Sequence, residues 1–271
     1  MKKLLLTTVC LLLSLVLSAQ EEDEFTRYAG LDSLLTKFYS ALEREENEVK
    51  NSEFDSLIEM CGDSLTRQHV TMEVFDHYSH SRVMGEEAVA IHVYDKWIAS
   101  GLVKTRSEFE TMEKEMFATF NRNSLVGMKA PEIVLRKPCG KKVKVPEPGK
   151  ISIFFFYATD CKKCQLEKVL LPQALESIDI PVNLYAVVFG TDRKEWRAYR
   201  KGFKVSNPNV RVVHLWDPEV DSDYQRLYGV TGTPKIFVIL DDGEIIGRRL
   251  ELDNIPEIFD YLSITYGSKE K

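Results

Sequence analysis

Cys161 and Cys164 flank Lys162 and Lys163, directly after an apolar run from Ile151 to Tyr157. A buried strand that ends in C-x-x-C and turns into a helix places a thiol at a helix N-terminus. There the unpaired backbone N–H groups and the helix dipole favour the thiolate. A thiolate is the nucleophile of disulfide exchange, and a second sulfur three residues on can expel the mixed disulfide that forms. Two other uses of the motif compete: a permanent disulfide and half of a zinc site. Zinc needs a second ligand pair, and the chain has no second C-x-x-C. Redox exchange is therefore the preferred reading.

The residues around the motif have the pattern of an α/β unit. Residues 151–157 are continuously apolar, as in a strand buried on both faces. A helix follows over 162–178, with a kink expected at Pro172. Residues 182–189 form a second buried strand, 192–203 a helix, 210–215 a strand and 221–228 a helix. Strands over 236–240 and 244–250 are joined by Asp241-Asp242-Gly243, a hairpin turn, and a helix over 255–266 closes the chain. Ahead of the motif lie a short strand at 133–135 and an alternating, exposed one at 141–145, with Pro146 to Gly149 as a turn. The order β-β-β-α-β-α-β-α-β-β-α predicts a mixed sheet covered by helices.

Before Gly127 the spacing is helical, and no good strand is visible. Leu31, Leu34, Leu35, Phe38 and Leu42 recur at three- and four-residue steps, as do Phe54, Leu57 and Ile58, and later Phe109, Met112, Met116, Phe117 and Phe120. Ser107 with Glu110 has the form of a capping box. Gly85 and Gly101 bracket a helix through Val89, Val93 and Trp97. About five helices result, a small bundle.

Composition supports this division. The 271 residues carry a net charge of −6, and 44% are apolar. Residues 20–126 hold 22 acidic against 11 basic side chains, and residues 127–271 hold 20 against 23. The shift places a domain boundary near 126, and the lack of a strongly basic surface argues against a nucleic-acid partner. Residues 1–20 read as a signal peptide: Lys2 and Lys3, an apolar stretch from Leu4 to Leu17, then Leu17-Ser18-Ala19 as a cleavage site. Export to the periplasm or cell envelope follows, with an uncleaved membrane anchor as the alternative. Cys10 would leave with the signal, so that Cys61, Cys139, Cys161 and Cys164 remain. That number is too few for a disulfide scaffold but suits an exported redox protein.

Three stretches carry a family resemblance. They are Gly127-Met-Lys-Ala130-Pro131-Glu-Ile133-Val-Leu135, then Phe155-Phe-Tyr-Ala-Thr-Asp-Cys161-Lys-Lys-Cys164-Gln-Leu-Glu167, and Tyr228-Gly-Val-Thr-Gly-Thr-Pro234-Lys-Ile-Phe-Val. In this order they resemble the thioredoxin-fold proteins of the TlpA/ResA type, exported thiol–disulfide oxidoreductases. The resemblance covers residues 127–266 and implies an α/β thioredoxin-like domain over 127–271. Residues 21–126 resemble a helical domain of unknown function found ahead of such modules in envelope proteins. It has no known activity, but an unknown partner of this domain remains open.

The resemblance assigns roles. Cys161 is the expected nucleophile and Cys164 the buried resolving thiol, together the redox-active disulfide. Lys162 and Lys163 add positive charge that lowers the Cys161 pKa, and Asp160 opposes them. Thr233 and Pro234 form the substrate-binding element. The proline is cis in the family, and Thr233 offers backbone groups to an extended substrate; the other reading is an ordinary strand-initiating proline. Glu167 matches a family glutamate near the thiols and could take a proton from Cys164, although a surface helical glutamate would look the same. The implied partners are protein disulfides and a membrane-linked thiol reductant. No cofactor or metal is called for. The sequence departs from the family at Tyr157 and Asp160, where tryptophans are usual, and this bears on substrate choice and potential.

Other features are open. Cys61 and Cys139 would bridge the two parts if they met, and Cys139, beside Gly140 and lysines, would otherwise be an exposed thiol. His77 and His80 lie one helical turn apart with only Asp76 as a companion, which favours a helix surface over a metal site. Trp97, Trp196 and Trp216 read as packing residues. A peroxidase is a second functional class, because the Ala130-Pro131 opening is shared with peroxiredoxin-like families. Phe154 and Ala158 occupy the Pro and Thr places of their P-x-x-x-T-x-x-C motif, which disfavours it. A third class is a binding protein in which the thioredoxin part is a scaffold.

Overall fold

The computed structural model describes residues 28–190 and 192–267. The signal peptide read from residues 1–20 lies outside them. Among the described residues no helix is long and apolar enough to cross a membrane. The chain divides into two compact units, Met1–Leu57 and Ile58–Lys271.

In the first unit α1 (Ala29–Leu42) buries Leu31, Leu35, Phe38 and Leu42, the spaced residues of the sequence pattern. The following helix, α2 (Asn47–Glu59), runs across the division. Phe38 meets Phe54 edge-on at 5.5 Å between ring centroids, an arrangement aromatic pairs prefer.

The second unit begins with three helical segments. α3 (Ser64–Ser79) is capped by Asp63, whose carboxylate accepts from the N–H groups of Leu65 and Thr66. α4 (Glu87–Val93) continues into a π-helical turn, Tyr94–Ile98. α5 (Glu108–Asn121) starts at Ser107, whose hydroxyl accepts from Glu110 N–H. The Glu110 carboxylate reaches Arg106 N–H, one residue before the cap, a shifted form of the expected capping box. The apolar spacing located α5 but not its buried face. Phe109, Met112 and Met116 are exposed, and the side chains α5 buries are Lys114 and Ala118. Lys114 is held by Asp76 at 2.7 Å and lies over the Phe75 ring at 4.4 Å.

The remaining residues form a seven-stranded sheet in the order β2-β1-β5-β4-β3-β6-β7. The strands are β1 (Ile133–Arg136), β2 (Lys142–Val145), β3 (Ile151–Tyr157), β4 (Val182–Val188), β5 (Val210–Trp216), β6 (Lys235–Ile239) and β7 (Ile245–Arg248). β3, β4 and β5 pair in parallel, and the outer pairs are antiparallel. The intervening helices are α6 (Lys162–Ala174), α7 (Arg193–Gly202), α8 (Tyr224–Leu227) and α9 (Asn254–Gly267). The element order is the one the sequence predicts. β3 is buried at every position, as its apolar run leads one to expect; Ser152, the polar residue within it, donates to the Lys150 carbonyl.

Two helices are shorter than expected. α6 runs through Pro172 and stops at Ala174, with Leu175 as its C-cap. The 221–228 segment yields only the single turn α8. Asp217 binds Ser222 Oγ and the N–H groups of Asp221 and Ser222, winding this stretch into a turn instead.

Phe155, Tyr157, Leu184 and Ile236 bury one sheet face against α6, α7 and α9. Phe154, Phe156, Tyr185 and Phe237 bury the other with Tyr224 and Tyr228. On that side α5 packs against α8. The approach is close enough that a Cβ at Gly229, where φ is +61°, would collide with the Phe120 carbonyl oxygen. A glycine is required there on both counts. Arg248 of β7 pairs with Glu87 of α4 at 2.7 Å and donates to Asn121 at 2.9 Å; both charged side chains are buried. Helical residues after Ile58 therefore share a packed unit with the sheet.

Candidate active site

β3 delivers the chain to Tyr157, residues 158–160 turn, and α6 starts at Lys162 with Cys161 as its N-cap. Cys161 takes the extended backbone of a cap, φ −77° and ψ 118°, and its Sγ lies 3.1 Å from the Cys164 N–H that points at it. A side-chain acceptor at this place satisfies one of the open donors of the first turn. For sulfur the same geometry stabilises negative charge. Cys161 and Cys164 are joined in a disulfide with Cα atoms 5.2 Å apart. Cys161 is partly exposed and Cys164 fully buried, an asymmetry that leaves one sulfur open to attack. Gln165 donates to the Thr159 carbonyl at 2.6 Å, and Thr159 donates to Glu195 at 2.9 Å. These bonds hold the turn that presents Cys161.

The Thr233–Pro234 peptide is cis, and the Thr233 carbonyl oxygen lies 3.4 Å from Cys161 Sγ. Residues 72 positions apart thus meet at the sulfur. Glu167 is one turn beyond Cys164 on α6 and only 3% exposed. Burial raises its pKa to about 7, a rise that Lys163 opposes and Glu251 reinforces. Among the described residues, one of its carboxylate oxygens has no hydrogen-bond partner. Glu167 is therefore a buried carboxylate, not a surface one.

Lys163 departs from expectation. Its ammonium donates to Glu251 at 2.8 Å and lies 3.9 Å from Glu167. Its charge is engaged by carboxylates, leaving the helix terminus and the adjacent, exposed Lys162 as the electrostatic support of Cys161. Among the described residues Cys61 and Cys139 are not bonded to each other; Cys139 is exposed and Cys61 buried. His80 Nδ1 sits 2.8 Å from the Asp76 carbonyl.

Several contributors carry no motif. Tyr199 donates to the Cys164 carbonyl at 2.9 Å and stacks on Tyr157 at 4.2 Å; Trp196 Nε1 donates to the Tyr157 hydroxyl. The tyrosine of the apolar run is thus a fully buried brace behind the dithiol. Trp196, Tyr199 and Phe203 recur at helical spacing on one face of α7, the one signal that marks them. Lys235 directly follows Pro234 and is largely buried. Burial, Arg248 and Arg249 lower its pKa to about 8, and its ammonium donates to the Gly229 carbonyl.

Two cavities flank the disulfide. One of about 640 Å³ is lined by Asp160, Cys161, Phe189, Asp192 and Thr233, among others. A second of about 990 Å³ is lined by Pro234 and Glu167 together with residues of the α3–α4 loop.

No family model matches the chain, and no curated protein does. Solved structures do. A thioredoxin-like protein from Bacteroides caccae superposes with a TM-score of 0.68 over 87% of this chain and 86% of its own, at 14% identity. The thioredoxin domain of a thiol-disulfide oxidoreductase from Bacteroides vulgatus covers 51% of this chain and 96% of its own, at 19% identity and a TM-score of 0.45. A domain of a possible thiol-disulfide isomerase from Cytophaga hutchinsonii covers 56% and 100%, at 22% identity and a TM-score of 0.45. The first likeness shows the fold: the chain is thioredoxin-like, and the helices before the sheet are part of the shared architecture.

Proposed function

We propose that the protein is an exported thiol–disulfide oxidoreductase that reduces protein disulfides in the cell envelope. The observation that carries this reading is Cys161 at the N-cap of α6, bonded to a buried Cys164 and facing Thr233. In the reduced enzyme the Cys161 thiolate attacks one sulfur of a substrate disulfide. The substrate S–S bond breaks, a Cys161–substrate disulfide forms and the other substrate sulfur leaves as thiolate. Cys164 then loses its proton to Glu167 and attacks Cys161 Sγ, expelling the second substrate thiolate. Two electrons have passed to the substrate, and the enzyme is left as the Cys161–Cys164 disulfide. A membrane-linked dithiol donor returns it to the reduced state. Thr233 supports this cycle by offering its backbone to an extended substrate beside the reacting sulfur.

Trapping tests the proposal. Cys161→Ser should abolish reduction of a model disulfide, and Cys164→Ser should accumulate a covalent adduct at Cys161. Turnover by the Cys161→Ser protein would exclude the mechanism. Export rests on residues 1–20, and fractionation of cells expressing the full chain checks it.

A further inference from the structure

The loop between α3 and α4 lines a cavity together with Lys163, Glu167 and Pro234, the neighbours of the dithiol. Arg82, Val83 and Met84 line the same 990 Å³ cavity as Pro234 and Glu167. The loop is pinned in place. Met84 Sδ lies 3.4 Å from the N–H of Arg248 on the edge strand β7, Glu87 pairs with the Arg248 guanidinium, and Ser81 donates to Glu86. Through this loop the helical segment forms a wall of the site.

The charges of the cavity lining sort into spent and unspent. Arg248 is paired with Glu87, Lys163 with Glu251, and the Lys235 ammonium donates to the Gly229 carbonyl. Arg82 and Arg249 are exposed and make no hydrogen bond or ion pair among the described residues. Glu257 is the exposed acid left at the rim, and Glu167, the deep one, has a pKa of about 7 and is part-neutral at physiological pH. Val83 and Met84 add exposed apolar surface to the same lining. The smaller cavity, which Cys161 itself lines, carries Asp160, Asp192 and Glu195, and among the described residues its lining holds no cation. Thr233 lines the acidic cavity and the next residue, Pro234, the one with the unspent cations, so a substrate strand along this segment passes from one to the other.

The geometry points to the α3–α4 loop as the specificity wall of the dithiol site, selecting substrate segments that carry an acidic residue next to an apolar one beside the reactive cysteine. This deepens the oxidoreductase reading and rests on it for the chemistry, while the binding preference is separable from turnover.

The test uses the full chain and short peptides with Glu, Gln or Lys two residues from the central position, on either side of it. With serine at the centre, binding is followed by fluorescence anisotropy at low salt. The Glu peptides should bind ~3–10-fold more tightly than the Lys peptides, since exposed charge pairs are individually weak, and the gap should shrink as salt rises. The gap should vanish in an Arg82→Glu, Arg249→Asn double variant. Asparagine is chosen because residue 249 has φ +55°, which asparagine tolerates. Equal binding of all charges, a preference that survives in the double variant, or no binding of any peptide would overturn the inference. With cysteine at the centre, reduction of the disulfide-linked peptides is measured as the Glu-to-Lys ratio of kcat/KM within each protein, so that a general loss of activity cancels. Reduction without charge preference overturns the inference alone. Charge-selective binding without reduction overturns the oxidoreductase reading and leaves the specificity wall standing.

Discussion

Two cysteines in this molecule sit at opposite ends of helices, and their surroundings differ accordingly. Cys161 caps the N-terminus of α6, where Cys164 N–H points at its sulfur, and it is partly exposed. Cys61 lies two residues past the C-terminus of α2 and is buried. Its N–H bonds back to Ile58, and Arg67 donates to the carbonyls of Ile58 and Cys61. Burial pushes the Cys61 thiol up to about 11; Arg67 opposes the rise and Asp63 adds to it. The residue type is the same, but one sulfur faces the open N–H groups of a helix start and the other is desolvated, which suppresses its thiolate. Reactivity is set by helix polarity and solvation, not by the thiol itself.

The largest expected effect breaks the pair outright. Cys161→Ser should reduce disulfide turnover to background, whereas Cys61→Ser should leave turnover intact and cost about 1–3 kcal/mol of stability in urea unfolding, the penalty of burying a hydroxyl. Loss of activity in the Cys61 variant at unchanged stability would show that the comparison is wrong. Next in size is alkylation of the reduced protein. At pH 7 Cys161 should be modified at least ~100-fold faster than Cys61, given the thiolate fractions of activated and suppressed thiols; comparable rates by mass spectrometry would refute the electrostatic account.

Glu167 sharpens the comparison, because burial raises its pKa as it does that of Cys61. Resolution of the mixed disulfide should speed up as pH rises through about 7. In Glu167→Gln that inflection should disappear and the rate fall about 100-fold, the lower end for a positioned base. Stability should move the other way. The folded carboxyl holds its proton from pH 4.5 to about 7 while the unfolded one has lost it. Stability contributed by this group is thus full below pH 4.5, falls through that window and stays low above it. At pH 8 Glu167→Gln should gain about 1–3 kcal/mol, read from chemical unfolding at pH 4 and 8. The smallest effect is that of Lys163→Ala. Since Lys163 pairs with Glu251 and Glu167, Cys161 alkylation should change less than ~3-fold, while the resolution inflection moves to higher pH. A larger change in Cys161 reactivity would restore the lysine to the nucleophile.

The thioredoxin-like half was legible for a reason visible in its residues. β3 and β4 are apolar apart from Ser152 and Asn183 because both sheet faces are covered, and a run of that kind, followed by a cap and a helix, leaves few alternatives. The helical part was legible only as helices. On α5 the repeat of Phe109, Met112 and Met116 faces outward, and Lys114 goes inward because Asp76, Glu110 and the Phe75 ring await it. Amphipathic pattern locates a helix, but a buried charge with partners can override the direction it suggests. Glu167 shows the same limit, since its two readings differ only in what lies above it.

The sequence alone therefore determined the order of strands and helices and the placing of Cys161 at a helix start. Those features arise from residues within a few positions of one another. Tertiary structure decided that Thr233 meets Cys161, that Glu167 is dry and that Glu87 and Arg248 join the helical segment to the edge strand. Desolvation and long-range charge pairing are properties of neighbours in space, and residues far apart in the chain become neighbours only on folding.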